Sequence, residues 1–405
     1  MITEKGQFIA NGFPSGMNNR QPDHALPEGA LRNAVNVDID SQGRLSRRGG
    51  YAKIAAGIDA HSGWACDLWA LFVSGSRLKR LNANNSVSDL MPVRGKVCYH
   101  FLNNVVYFSD GVGSYKMTAS GAITNWGIQP LLAPALSAAA GTLSKGTYLA
   151  AITPIGADLS EHGASPIVSI EIAENGAVKF SLPATPDPQT AFTRIYLSTA
   201  NGQTLYAVAD VAAGVSSYTV TADGQGRELD TVGVTPMPPG SSITSLNGHL
   251  YVASGKVVWS TDYLAPDRLR PSTGYMQFNE AVAILASVPS GLWIVTEKTY
   301  FYAGSDPSTF SQKLVAEYGA PDGQPYHIPN SNDVVWYSDR GIVRAGEGML
   351  NLQEENVATE SGTNAAIMVR EMDGIVQAIA SVQNPSVSKL ASASFIEMEV
   401  IRKAA

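Results

Sequence analysis

The stretch Leu246–Ser260 reads as a tight hairpin, and copies of it recur along the chain. Apolar and polar residues alternate on both sides of Ser254-Gly255, the period of a half-buried strand, and glycine supplies the turn. Related units lie at Leu102–Met117, Ser290–Ala303 and Ser331–Ala345, and a looser copy at Asp67–Leu81. Their matching aromatics, Phe72, Tyr107, Tyr251, Trp293 and Trp336, are 35, 144, 42 and 43 residues apart. A four-stranded propeller blade takes about 40–45 residues, and the outlying step shrinks to blade size if about 106 residues are an insertion. A sixth copy is due near position 378, where Asp373–Ala378 is the candidate. The fold class expected is therefore all-β, a β-propeller of about five to six blades interrupted once. An ordinary antiparallel β protein with turn-rich hairpins is the competing reading.

The insertion is visible as a change of character between Pro134 and Met237. Charge is sparse there, alanine is frequent, and short strands follow at Gly146–Pro154, Pro166–Ala173, Ala177–Leu182, Thr193–Ser198, Leu205–Val211 and Ser217–Thr221. That spacing predicts a seven-stranded sandwich of about 100 residues. The segments Gly146–Ile152, Glu161–Ser165, Arg194–Thr199 and Ser217–Val220 resemble a fibronectin type III module, with Arg194-Ile195-Tyr196 expected on its third strand. The domains expected are an arm (1–33), a first part of the propeller with a closing hairpin (34–131), a fibronectin type III-like sandwich (132–237) and the rest of the propeller with the C-terminal strands (238–405).

Turn-forming residues fill the arm, although Pro27–Ala34 could hold one helical turn. Val35–Asp40 and Arg44–Tyr51 form a hairpin around Ser41-Gln42-Gly43, placed to complete the last blade. At the other end, Thr363–Val369 could start a helix, while Met372–Val382 and Ser394–Ile401 alternate as strands; a C-terminal helix docked on a partner is the alternative.

Composition limits the chemistry. Charged residues are only 16% of the chain against 44% hydrophobic, so polar uncharged side chains must cover much of the surface. The net charge of −7 disfavours a general nucleic-acid binder without excluding a local basic patch. Such a patch exists: Arg44 to Lys96 holds nine Lys or Arg against Asp59, Asp67 and Asp89. Arg44, Arg47 and Arg48 are its densest part, readable as phosphate or subunit contacts or as solvated strand-edge charges. Cys66 and Cys98 are the only cysteines, too few for a disulfide framework or a zinc site, and both are expected in strands. The six histidines are spread singly and read as surface or turn residues. No phosphate-loop, zinc-protease, serine-hydrolase or Cys-x-x-Cys motif is present. No catalytic, cofactor or metal residues are therefore assigned.

Ser109–Tyr115 and Ser338–Gly341 are similar to the aspartate boxes of sialidase propellers, whose role is structural. A glycosidase would need paired carboxylates, and Glu280, Glu297, Glu317 and Glu347 are candidates with nothing to single one out. A sialidase-like site would need an arginine cluster with a Tyr–Glu pair. No enzyme is the expectation. The sequence starts without a basic region leading into an apolar run, and no stretch of 18 apolar residues occurs, so neither a secretion signal nor a membrane span is expected.

The most specific likeness lies in residues 12–52. Gly12–Asn19, then Leu26–Asp38, then Gly43–Tyr51, with Asn36, Gly43, Leu45, Arg48 and Gly50 in the pattern Asn-x6-Gly-x-Leu-x-x-Arg-x-Gly, resemble the opening of tail nozzle (distal tail tube, or tail hub) proteins of short-tailed double-stranded DNA bacteriophages. The chain is short for that family, which leaves a reduced nozzle, a tail-tip protein or a stopper open. The resemblance implies a structural virion protein, assembled in the host cytoplasm as a homo-oligomeric ring, six copies being the expected number. It would sit below the portal and the head–tail adaptor, pass double-stranded DNA through its lumen, and carry tail fibres or a needle. Arg44, Arg47 and Arg48 would then be subunit, adaptor or lumen contacts. The alternative is a carbohydrate-binding or glycosidase-type propeller protein, and a third reading is an intracellular interaction scaffold.

Overall fold

The computed structural model describes residues 12–40, 42–48, 57–352, 355–359, 362–372, 375–383 and 394–401. It is all-β: the one helical element among them is a three-residue 3-10 turn, Asp23–Ala25, and no helix is long and apolar enough to cross a membrane. The chain divides into two compact units, one made of the residues up to Val93 together with those from Glu280 onward, the other of Arg94–Asn279.

The first unit contains three four-stranded sheets in sequential order. They are His61–Ala65, Ala70–Ser74, Arg77–Leu81 and Val87–Pro92; then Ile284–Val288, Gly291–Val295, Thr299–Ala303 and Ser311–Ala316; then Tyr326–His327, Val334–Ser338, Gly341–Ala345 and Met349–Asn351. This up-and-down meander is the plan of a propeller blade. A fourth sheet holds Asn364–Met372, Ile375–Gln383 and Ser394–Ile401, with Asp322–Gln324 added in parallel to the first of these. Period-two alternation explains how the sheets stack. Val334 and Trp336 pack with Trp293 and Val295, while Val335 and Tyr337 turn the other way, toward Val369, Ala378 and Ala380. A strand apolar on both faces is covered on both faces. Trp293 and Trp336 meet with ring centroids 5.8 Å apart, and the Trp293 indole N–H donates to the Gly346 carbonyl at 3.2 Å.

The second unit has two further sheets and the sandwich. Cys98–Leu102, Val105–Ser109, Ser114–Thr118 and Ile123–Asn125 form one sheet; Ser242–Leu246, His249–Ser254, Val257–Asp262 and Ala265–Leu269, with Tyr275–Gln277 also on the third strand, form the other. Asn247-Gly248 and Asn103-Asn104 turn their hairpins with both residues at positive φ, as a two-residue turn of the hairpin type requires. Cys98, Tyr107, Trp126, Ile243, Leu250 and Val252 share one core. The sandwich has seven strands, Ala135–Leu143, Gly146–Gly156, Val168–Ile172, Gly176–Ser181, Thr190–Ser198, Leu205–Ala212 and Ser217–Val220. The first, fourth and seventh make one sheet; the third, second, fifth and sixth make the other. Tyr148, Ile152, Val178, Phe180, Ile195 and Leu197 fill the space between them. Together these elements make the protein a propeller-like all-β chain with an inserted seven-stranded sandwich.

Several local expectations change. Pro27–Ala34 is not a helical turn. Gly29 stands at φ 76, a Cβ there would meet the Pro14 ring at 2.9 Å, and Ala30–Leu31 runs extended beside Gly16–Met17. Among the described residues, the hairpin of Val37–Ile39 and Leu45–Arg47 stands as a two-stranded sheet and pairs with no blade. The arm is tied down elsewhere. Asn19 donates its backbone N–H to the Asn356 carbonyl and its side chain to the Ala358 carbonyl, both at 3.0 Å, and accepts the Ala358 N–H at 2.6 Å. Residues 364–372 are a strand, because Ala365, Ile367 and Val369 face one core at every second position. Arg194–Tyr196 lies on the fifth sandwich strand, and Cys66 follows a strand instead of lying in one. Residues 1–11 of the arm, Gly49-Gly50-Tyr51, Lys53 and Asp373-Gly374 lie outside the described residues.

Candidate functional site

The three arginines singled out in the sequence are not equivalent. Arg48 is committed to its own hairpin: its Nε lies 3.0 Å from Asp38 Oδ1, and its backbone N–H donates to the Asn36 carbonyl at 2.9 Å. Arg44 and Arg47 are exposed. Strand alternation sends Arg47 to one face of the hairpin with Leu45, and Arg44 and Arg48 to the other with Ser46. The wider basic segment is partly neutralised within its own sheet, since Arg77 and Lys79 both reach Asp89, at 2.9 and 2.6 Å. Arg80 lies over the Trp69 ring, 4.8 Å from its centroid.

The densest polar constellation lies elsewhere, around Glu161. Its carboxylate is almost fully buried, with its side chain 2% exposed. Oε1 accepts from the Tyr196 hydroxyl at 2.6 Å and from Thr153 Oγ1 at 2.9 Å. Oε2 meets Arg194 Nη1 at 3.1 Å and Arg227 Nη2 at 2.8 Å. Register places these groups: Thr153, Arg194 and Asp210 lie in one row across three strands, and Tyr196 follows Arg194 by two residues on the same face. Asp210 grips Arg194 with both oxygens, at 2.7 and 2.8 Å. Asp230 links Arg227 at 2.9 Å to Arg268 at 3.1 Å, and Arg268 Nε donates to the Glu161 carbonyl at 3.1 Å. Three carboxylates thus face three guanidiniums, so the cluster is neutral. Burial, then the hydrogen bond to Glu161, pushes the Tyr196 phenol well above its ordinary range, and the Asp210 hydrogen bonds raise Arg194.

The cluster belongs to a junction between the sandwich and the two sheets of its unit. Lys116 bridges Asp158 at 3.2 Å and Asp267 at 2.8 Å, and the Trp126 indole donates to the Pro266 carbonyl at 2.7 Å. Burial works to raise Asp158, but the Ser160 hydrogen bonds and the Lys116 charge hold it down to about 2. His162 is 2% exposed in this junction, and its Nδ1 accepts from the Ile128 N–H at 3.4 Å. Burial lowers its pKa. Against the expectation of surface and turn histidines, His162 and His249 are both buried, and His249 Nδ1 lies 2.7 Å from the Thr261 carbonyl oxygen.

The arrangement contains the residue types of a sialidase-like site, an arginine cluster with a Tyr–Glu pair, but it is closed. Each Glu161 oxygen is already held by two side chains of the same chain, and the guanidiniums are held by carboxylates. It binds the sandwich in place: the Glu161 carboxylate is buried and saturated, while Arg227 and Asp230 at the rim are half-exposed. Glu280, Glu297, Glu317 and Glu347 are all exposed, and Glu317 pairs with Lys298. The two aspartate boxes brace turns. Asp110 Oδ1 accepts the Val112 and Gly113 N–H groups at 3.0 and 2.7 Å, and Ser109 and Ser338 hydroxyls each donate across the turn at 2.8 Å. Among the described residues no cluster of His, Cys, Asp or Glu could hold a metal ion.

No protein-family model matches the sequence, and no curated protein matches it. Solved structures similar to it include BBS1N in complex with ARL6DN, at 10% identity over 82% of this chain and 92% of that one, with a TM-score of 0.35. The AfRom2 CNH domain is 8% identical over 80% and 91%, with a TM-score of 0.29. A virginiamycin B lyase from Staphylococcus aureus is 13% identical over 76% and 86%, with a TM-score of 0.28. Likenesses this slight carry no argument about this chain.

Proposed function

We propose that this chain is a structural, non-enzymatic component of a virion: a ring-forming tail conduit of a short-tailed double-stranded DNA bacteriophage, seated below the portal and adaptor. The observation that carries the reading is the arm. Its residues hold the nozzle-like pattern, and they fold into a hairpin that, among the described residues, pairs with no blade and presents Arg44 and Arg47 to solvent. A two-stranded hairpin without a core is marginal in water, so this one needs a partner surface. The rest of the chain fits a conduit. Its net charge of −7 and its low share of charged residues, 16%, suit passage of DNA, which tight phosphate clamping would stall. The inserted sandwich is fixed to its unit by a closed ionic junction and is available for contacts with neighbouring copies or for fibre attachment. The carbohydrate-cleaving alternative loses ground because both oxygens of the buried Glu161 carboxylate are already held by Thr153, Tyr196, Arg194 and Arg227.

The test is charge reversal at Arg44 and Arg47, leaving Arg48 to hold Asp38. The double variant should fold as the parent does and fail to join a portal–adaptor complex in co-sedimentation. Unchanged recruitment would remove the hairpin from the docking surface.

A further inference from the structure

The three-stranded sheet of the sandwich has two open edges. Its middle strand, Gly176–Ser181, pairs with Ala135–Leu143 on one side and Ser217–Val220 on the other. Among the described residues no strand pairs with the far side of either outer strand. Exposed edges invite a further strand, and proteins usually blunt them with charge, proline or a covering segment. The opposite sheet is managed in that way. Residues 226–229 run along Leu205–Ala212, through bonds such as Ala207 N–H to the Arg227 carbonyl and Leu229 N–H to the Leu205 carbonyl, both 2.9 Å. The first strand is not. Ala135-Leu-Ser-Ala-Ala-Ala-Gly-Thr-Leu143 carries no charge and no proline, and Ala135, Ser137, Ala138 and Ala140 are exposed. Its ladder on the middle strand is regular from Ala135 to Ala140 before a bulge.

The other edge lies beside a cleft of about 450 Å³, lined by Ala207, Val208, Tyr218, Val220 and the turn to Gly226. Ser217, Tyr218 and Thr219 are exposed, and this strand too is uncharged. Tyr218 stands in one row with Phe180 and Leu136, on the face that carries the sandwich core, yet the residue is 38% exposed at the margin. One more strand with small apolar side chains would cover it.

We propose that the strand Ala135–Ala140 of one copy adds to the edge strand Ser217–Val220 of the next, continuing the sheet from protomer to protomer. The occupant follows from the edges themselves. Both are uncharged, so their approach meets no repulsion and desolvates no ion. Both run antiparallel to the same middle strand and hence parallel to each other, so the new ladder is parallel. They are opposite edges of one sheet, so the contact is head-to-tail, and it closes into a ring when the rotation per copy allows. The inference rests on the reading of this chain as ring-forming and names the surface that makes the ring.

Hydrogen exchange on the full chain, before and after assembly, tests it without a variant. Amides of 135–140 and 217–220 should both slow at least tenfold in the assembly. A ring whose two edges exchange as in the monomer overturns this inference and leaves the ring reading standing. Slowing of one edge alone, appearing only with adaptor, assigns that edge to the adaptor and also overturns it. If no ring forms with or without adaptor, the ring reading falls and takes this inference with it. As a second measurement, Ala135→Lys, on the outer face opposite Ser181, places a charge on the open edge and should leave a folded monomer that no longer assembles; wild-type assembly by this variant contradicts the proposal.

Discussion

Replacing Glu161 by Gln tests whether the buried cluster fastens the sandwich. The change keeps the shape but removes the negative charge that Arg194 faces at 3.1 Å and Arg227 at 2.8 Å. Removing one partner of a buried ion pair costs about 3–5 kcal/mol. Arg194 keeps Asp210 and Arg227 keeps Asp230, so the low end, about 3 kcal/mol, applies here. In a unit the size of Arg94–Asn279, each kcal/mol moves the melting temperature by about 2–4 °C, so a fall of roughly 6–12 °C is expected. Differential scanning calorimetry reads it, and the loss should fall on the transition of that unit. Tyr196→Phe should cost less, about 1.5–3 kcal/mol, because it removes one hydrogen bond to a charged acceptor and strands no charge. A Glu161→Gln melting temperature within 1 °C of the parent would refute the reasoning, since a dispensable carboxylate cannot be what fastens the sandwich.

Thiol titration of the native protein should find Cys66 and miss Cys98, whose thiol burial pushes up to about 12; both should react in denaturant, and rapid native reaction of two thiols would contradict the packing. Two groups at the junction set an acid limb. Asp158, lowered to about 2, contributes stability that is present above its ordinary 3.8 and lost as pH falls toward 2. His162, also lowered, is neutral when folded, so the unfolded chain gains a proton first and stability begins to fall as pH drops through 6.5. Asp158→Asn should flatten the limb below pH 4 in chemical unfolding series, and an unchanged limb would count against this assignment. Gly163→Ala would bring a Cβ to 2.0 Å from the Val234 carbonyl oxygen, and a loss of about 3 kcal/mol is expected in urea unfolding, where a neutral result would mean that the backbone there yields freely.

The blade sheets were legible because their evidence is local. Leu250, Tyr251, Val252 and Ala253 read as a strand from pattern alone, and Asn247-Gly248 marks its turn. Of the matching aromatics only Phe72, in the looser copy, is out of step: Leu71 and Val73 are buried there and Phe72 is half-exposed. Non-local pairing was beyond reach. Nothing near Asp322–Gln324 announces a parallel partner at Asn364, and nothing near Asn18 and Asn19 announces Asn356. The Glu161 cluster was missed for the same reason, since its members come from positions 153, 161, 194, 196, 227 and 268 and meet only through strand register. A signal was present: in a stretch poor in charge, Arg194-x-Tyr196 sets a cation and a phenol on one face of a strand, where burial demands an anion. Arg48 teaches the converse. Three arginines close in sequence suggested one patch, but strand alternation and Asp38 separate them.

The mass of the purified chain in solution, alone and after mixing with a portal–adaptor complex, bears most directly on the ring-forming conduit. The account expects a ring-sized assembly, either from the chain alone or only on the adaptor. A monomer that stays a monomer in both conditions would contradict it.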